Sequence, residues 1–205
     1  VTTAAQRAAA LMHVSEQITA RADEIARLIT AENGKPLMWS RIEATRGAST
    51  FRWAAEEARR WSGELQRLDT DPTSTGRMGL VRRFPYGPVL GIAPFNFPLN
   101  LVAHKVAPAI AVGAPVIIKP APATPLTSLL LGELLAETDL PAGMWSVLPL
   151  GNETTAELVA DPRLPVVSFT GSETVGFHIQ AEEPTKHVIL ELGGNAAAAV
   201  LAMSK

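Results

Sequence analysis

The chain has 205 residues, enough for one large domain or a domain with a helical extension. A hydrophobic share of 47% supports a sizeable core, and a formal charge of −2, with acids and bases interspersed, leaves no basic face for nucleic acid. Cysteine is absent, which excludes disulfides, thiolate chemistry and zinc–thiolate sites from these residues and agrees with a cytoplasmic location.

The first ten residues lack the charged-then-apolar pattern of a signal peptide. The longest apolar stretch, Val106–Ile118, is interrupted by Pro108, Gly113 and Pro115, so no membrane span is expected. From Thr3 to Glu32, Leu11, Val14, Ile18, Ile25, Leu28 and Ile29 recur at helical spacing, and Asn33-Gly34 ends that helix. A second helix is predicted over Met38–Leu65, with Ile42, Phe51, Trp53, Ala54 and Trp61 on or near its buried side. Asp69–Gly76 is rich in turn residues and marks a boundary. The helical segment is accordingly placed at residues 1–75 and a second unit at 76–205.

Beyond the boundary, Met78–Arg83 reads as an exposed strand. Apolar strands are then expected at Val89–Ala93, Pro115–Lys119, Trp145–Leu148, Val166–Phe169, His187–Leu190 and Ala196–Leu201. Helices fall between them at Leu99–Val112, Pro125–Glu137, Thr154–Ala160 and Thr174–Glu182, with Thr124 as the N-cap of the second. Short unalternating strands separated by helices imply a parallel sheet covered on both faces, a doubly wound α/β domain. Such a fold binds ligands at the carboxyl ends of its strands.

Four segments follow strand ends. In Ala93-Pro94-Phe95-Asn96-Phe97-Pro98, two prolines fix the backbone around Asn96. Its carboxamide can serve an oxyanion, or can close a turn on its own backbone. In Ile118-Lys119-Pro120-Ala121, the lysine either reaches a ribose or phosphate or is a solvated charge. Phe169-Thr170-Gly171-Ser172 opens a helix whose free amides suit a pyrophosphate, or is an ordinary tight turn. Glu191-Leu192-Gly193-Gly194 ends a strand on a carboxylate that is either a general base or a surface charge. His13, His104, His178 and His187 are scattered and read as structural, so no metal site is expected.

Taken together and in order, these segments resemble the aldehyde dehydrogenase superfamily. The resemblance is close over Arg83–Val200 and looser before it. It rests on Gly87-Pro88-Val89-Leu90-Gly91-Ile92 leading into Pro-Phe-Asn-Phe-Pro, on Lys-Pro-Ala with Thr124-Pro125, on Phe-Thr-Gly-Ser with Gly176, and on Glu-Leu-Gly-Gly. It implies a Rossmann-like domain that binds NAD or NADP, and oxidation of an aldehyde substrate through a cysteine thiolate. Asn96 would hold the oxyanion and Glu191 would activate water to hydrolyse the thioester. Lys119 would hold a ribose hydroxyl, Ser172 the pyrophosphate, and the carbonyl at Leu192 the nicotinamide amide. Gly151 and Gly176 would approach the cofactor closely. Ile92, Ala93, Pro94, Phe95, Ala121, Pro122, Phe169, Thr170, Gly171, Val175 and Gly193 complete the cofactor set that the resemblance implies.

Two departures qualify it. Pro122 stands where NAD-preferring relatives commonly carry a glutamate, so NADP should be tolerated. The nucleophilic cysteine is expected in a catalytic domain beyond this chain, which should be inactive alone. A short N-terminal piece is also expected to be missing, and only one strand of the oligomerisation arm, at Met78–Arg83, can be mapped. The whole protein is expected to form homodimers or homotetramers. Alternatives are a reductase of acyl phosphates or acyl-CoA, against which Glu191 argues, and a non-catalytic nucleotide-binding or structural protein.

Overall fold

The computed structural model describes residues 2–196. Three helices come first: α1 (Ala4–Ala20), α2 (Ala22–Asn33) and α3 (Leu37–Arg60). The single N-terminal helix expected from periodicity is two, broken at Arg21 without a glycine or proline. The break leaves Ile18 and Ile25 both fully buried. Thr3 and Gln6 form a capping box at the start of α1. Gly34, at φ 81°, ends α2 by donating its amide to the Thr30 carbonyl at 2.9 Å.

The second helix stops at Arg60, five residues before the expected Leu65. Ser62-Gly63 turns the chain out: Gly63 has φ 130°, and a Cβ there would run into the Val81 carbonyl oxygen. The chain then forms β1 (Glu64–Arg67), which pairs antiparallel with β2 (Met78–Val81). The arm is thus a two-stranded hairpin, not a single strand. Asp69–Gly76 is its loop, including a 3-10 turn at Pro72–Ser74.

Burial on α3 also differs from expectation. Its inward stripe is Ala44, Gly47, Ala48, Phe51, Ala54, Ala55 and Ala58, a 3.6-residue period of mostly small side chains. Ile42, Trp53 and Trp61 fall off that period and are exposed. Trp53 lies under the Arg52 guanidinium at 5.5 Å and Trp61 under that of Arg83 at 5.6 Å. Small residues let α3 approach its neighbours: a Cβ on Gly47 would sit 2.8 Å from the Leu99 side chain.

The remaining elements alternate: β3 (Val89–Ile92), α4 (Asn100–Val112), β4 (Val116–Lys119), α5 (Leu126–Ala136), β5 (Trp145–Val147), α6 (Asn152–Ala160), β6 (Val166–Thr170), α7 (Glu173–Glu182) and β7 (His187–Glu191). All five strands β3–β7 join one parallel sheet in the order β5-β4-β3-β6-β7. The α/β class, the parallel sheet and every strand–helix alternation through β7 match expectation. The strand expected at Ala196–Leu201 lies, apart from Ala196, outside the described residues. One core joins α1–α3 to α4, α5 and the adjoining strands, so the helical segment shares the core of the sheet. A second core, with Leu90, Val167, Phe169 and Ile179, lies under α6 and α7.

The cap of α5 is a further correction. Thr124 makes no capping bond, and its buried hydroxyl has no partner among the described residues. Instead the Glu32 carboxylate, from α2, accepts the amides of Leu126 at 2.8 Å and Thr127 at 3.1 Å. A cap brought in by tertiary packing leaves no local signature.

Candidate active site and cofactor crevice

From β3 the chain moves outward through β4 and β5, then returns to place β6 on the other side of β3. The carboxyl ends of β3 and β6 therefore flank the topological switch point, where doubly wound sheets hold ligands. The register aligns the expected residues there. Lys119, Ile92, Phe169 and Leu190 stand side by side across β4, β3, β6 and β7. One residue further on, Thr170 pairs with Glu191, and the Ala93 amide donates to the Lys119 carbonyl at 3.1 Å.

Asn96 lies on the loop between β3 and α4, which is held from α2 and α3. Asn33 Nδ2 donates to the Phe95 carbonyl at 2.5 Å, and Lys35 Nζ donates to the Asn96 carbonyl at 2.6 Å. Glu43, fully buried on α3, takes the same Lys35 ammonium at 2.6 Å. Its other oxygen accepts the amides of Leu99 at 2.9 Å and Asn100 at 3.1 Å, capping α4 in place of a local side chain. The Asn96 backbone is thus clamped. Its carboxamide makes no hydrogen bond with any described residue, so the turn-closing alternative is not what the structure adopts. Asn96 lines a cavity of about 400 Å³ with Lys35, Trp39, Arg46, Phe95 and Phe97. Phe95 is exposed, and Pro94 is half-buried.

Glu191 ends β7 exposed, and its Oε2 accepts from the Thr170 hydroxyl at 2.7 Å. Thr170 in turn accepts from Lys105 Nζ at 2.8 Å, and Lys105 also donates to Ser168 at 3.0 Å. Lys105 is only 3% exposed, and burial pulls its ammonium down to about 8, opposed in part by the Glu191 charge. Sequence reading missed Lys105 because a lysine within an apolar helix resembles a solvated residue. The signal was its isolation among Val102, Ala103, Val106 and Ala107. Gly91 makes room for it: a Cβ there would meet the Lys105 stem at 3.2 Å.

Lys119 is 5% exposed, which rules out a solvated charge, and burial lowers its pKa. It forms no hydrogen bond with a described residue. Ala121 beside it is buried, and Pro122 is exposed. At the start of α7, Ser172 makes no capping bond, and the amides of Glu173, Thr174 and Val175 have no acceptor among the described residues. Gly151 caps α6 with open space where a Cβ would project, and Gly193 is likewise open. An unpartnered buried lysine, free amides at a helix start and bare glycines suit the hydroxyls and phosphates of a dinucleotide. At Gly176 a Cβ would collide with Leu192 and press on Leu190 and Phe169, so its smallness serves the packing of α7 on β7. A Cβ on Gly171 would likewise come within 2.6 Å of the Phe169 ring.

Among the described residues, no cluster of three or more histidine or acidic side chains stands ready for a metal. No described helix is long and apolar enough to cross a membrane. The sequence profile of the aldehyde dehydrogenase family matches residues 1–204. The chain belongs to the aldehyde dehydrogenase family. It is 39% identical over 196 residues to a 3-sulfolactaldehyde dehydrogenase of Priestia aryabhattai, covering 95% of this chain and 41% of that protein. It is 42% identical over 195 residues to a succinate-semialdehyde dehydrogenase of Paenarthrobacter nicotinovorans, covering 93% of this chain and 42% of the relative. Among solved structures, aldehyde dehydrogenase 21 of Physcomitrella patens, in complex with the reaction product succinate, superposes with a TM-score of 0.92 at 46% identity. That match covers 96% of this chain and 41% of the other. A glyceraldehyde-3-phosphate dehydrogenase of Methanocaldococcus jannaschii complexed with NADP matches with a TM-score of 0.87 at 34% identity, over 94% and 42% of the two chains. This aldehyde dehydrogenase chain therefore spans about 41% of the length of such relatives. It corresponds to their Rossmann-like, N-terminal portion.

Proposed function

We propose that this chain is the cofactor-binding portion of an enzyme that oxidises an aldehyde to a carboxylic acid with NAD or NADP. Helices α1–α3 pack on the sheet of the dinucleotide-binding domain, and the β1–β2 hairpin bridges the expected boundary at 75/76. The observation that carries the reading is the Asn96 carboxamide, fixed through its backbone yet without a partner of its own. A neutral donor held rigid without reorganisation is what a developing oxyanion requires. The nucleophile, a cysteine by family resemblance, is supplied from outside these 205 residues.

The net reaction consumes aldehyde, water and oxidised cofactor, and yields carboxylate, reduced cofactor and two protons. Bound NAD or NADP would supply the hydride acceptor; Lys119 would hold its adenosine ribose hydroxyl, and Ser172 with the first amides of α7 would hold its pyrophosphate. Glu191 takes the proton from the water that hydrolyses the acyl–enzyme. Thr170 and Lys105 orient its carboxylate and, when Lys105 is neutral, give that proton an exit. The protein works in the cytoplasm as a homodimer or homotetramer, with the β1–β2 hairpin as the pairing arm.

The test is turnover of succinate semialdehyde and 3-sulfolactaldehyde by the full-length protein with NAD and with NADP. Asn96→Ala should lower kcat by about 10²–10³-fold with little change in cofactor binding. An unchanged kcat would remove Asn96 from the chemistry.

A further inference from the structure

The turn between α2 and α3 carries a reactive pair of residues that aldehyde oxidation does not use. Asn33 is the one asparagine of the chain followed by glycine. A glycine has no Cβ to shield its amide nitrogen, so at an Asn-Gly step the backbone attacks the preceding carboxamide most readily. The step is open to water here. Gly34 is exposed, with nothing within 4 Å of the place a Cβ would take, and Asn33 is half-buried. The Asn33 side chain also has a task. It lines the cavity at Asn96, and its Nδ2 donates to the Phe95 carbonyl at 2.5 Å. With Lys35, which donates to the Asn96 carbonyl, it is one of two side chains from this turn that hold the Asn96 loop.

We propose that Asn33-Gly34 is a site of spontaneous deamidation, and that its product releases the loop bearing Asn96. The Gly34 amide nitrogen loses its proton and bonds to Asn33 Cγ, the bond from Cγ to Nδ2 breaks, and ammonia leaves behind a cyclic imide. Water then opens the imide at either carbonyl and yields aspartate or isoaspartate. The net change is one water consumed and one ammonia released, with no oxidant or reductant. Aspartate sets a charged acceptor against the Phe95 carbonyl in place of a donor, so the contact turns repulsive. The new carboxylate shares the cavity with the Lys35 ammonium and competes with the Asn96 carbonyl for it. Isoaspartate also lengthens the backbone at the turn. The docked loop restrains the reaction. Gly34 donates its amide to the Thr30 carbonyl at 2.9 Å, and Nδ2 is held by Phe95, so the nitrogen attacks only when the last turn of α2 opens. Docking of the loop and survival of Asn33 therefore favour each other. The effect on turnover rests on the proposed role of Asn96, and the modification itself does not.

The experiment ages the full-length protein in warm, mildly alkaline buffer and follows Asn33 by peptide mass mapping, beside a synthetic peptide of residues 28–37. Aspartate and isoaspartate should accumulate at Asn33 while Asn96, Asn100 and Asn152 stay intact. The rate should be about 10-fold or more below that of the peptide, because the turn must first open. Turnover should fall in step with the converted fraction, whereas Asn33→Thr should keep its starting activity through the same treatment. Asn33→Asp, made directly, gives two further readouts. Chymotrypsin should cut it after Phe95 faster than the wild-type protein, which needs no turnover, and kcat should fall by about 10-fold or more with the NAD dissociation constant unchanged. Survival of Asn33 after the peptide has converted, conversion as fast as in the peptide, or an Asn33→Asp variant with wild-type resistance and wild-type kcat would each overturn the proposal. Conversion and cleavage as expected, with no aldehyde turned over, would defeat the dehydrogenase reading and leave the modification standing.

Discussion

Replacing Glu43 with alanine tests whether the loop bearing Asn96 is held from outside itself. Glu43 is fully buried and carries three contacts: two backbone amides at the start of α4 and the Lys35 ammonium. Alanine would strand the ammonium, whose side chain is only 13% exposed, and leave both amides without an acceptor. Removing one partner of a buried pair destabilises by about 3–5 kcal/mol, because the remaining charge stays desolvated. Loss of the helix cap falls within that range, since the same carboxylate provides it. Glu43→Gln keeps an acceptor for the amides but turns a weaker, neutral partner toward Lys35, so an intermediate loss is expected. Urea unfolding of the full-length protein measures both. Asp23→Ala is the control, because it breaks an exposed pair with Arg41 and should change stability by less than about 1 kcal/mol. Asn96 should also drift once Lys35 loses its second anchor, and displacement of about 1 Å lowers kcat by about 10²-fold. A Glu43→Ala loss no larger than that of the control would refute the clamp.

Other outcomes follow from the same geometry. Burial brings Lys105 down to about 8, so its amine is neutral and able to accept a proton only above that pH. Turnover limited by hydrolysis should rise through about pH 8, and Lys105→Met should abolish that limb; a limb that persists would exclude Lys105 from the proton path. The stability sign is also fixed. Between about 8 and the ordinary 10.5 the unfolded chain binds more protons at this site, so the burial penalty is full below about 8 and is relieved as pH rises. Pro122→Glu should weaken NADP by about 10-fold or more relative to NAD in fluorescence titrations, since a carboxylate there would face the 2′-phosphate; an unchanged ratio would place that phosphate elsewhere. Gly63→Ala should open the β1–β2 hairpin, because φ 130° and the Val81 carbonyl both exclude a Cβ; light scattering should then show a smaller assembly, and an intact oligomer would separate the hairpin from pairing.

The sequence by itself determined the parallel α/β class, the strand–helix order through β7 and the strand-end positions of Asn96, Lys119, Ser172 and Glu191. Short apolar runs, helical periodicity and turn residues are local properties, and the ends of parallel strands are where such a fold must place its ligands. Local signals were also present for β1, in Ser62-Gly63, but the helical texture around them concealed the turn. The exposure of Trp53 and Trp61 depended on which stripe of α3 met α1 and α4, and small residues won because they allow closer approach. The cap of α5 by Glu32, the clamp of Asn96 by Glu43 and Lys35, and the line from Lys105 through Thr170 to Glu191 join residues 8 to 95 positions apart, at least 21 in all but the Lys35–Glu43 pair. Only the tertiary structure decided these, because a buried charge is stable just where the fold brings it a partner, and no neighbour along the chain supplies one.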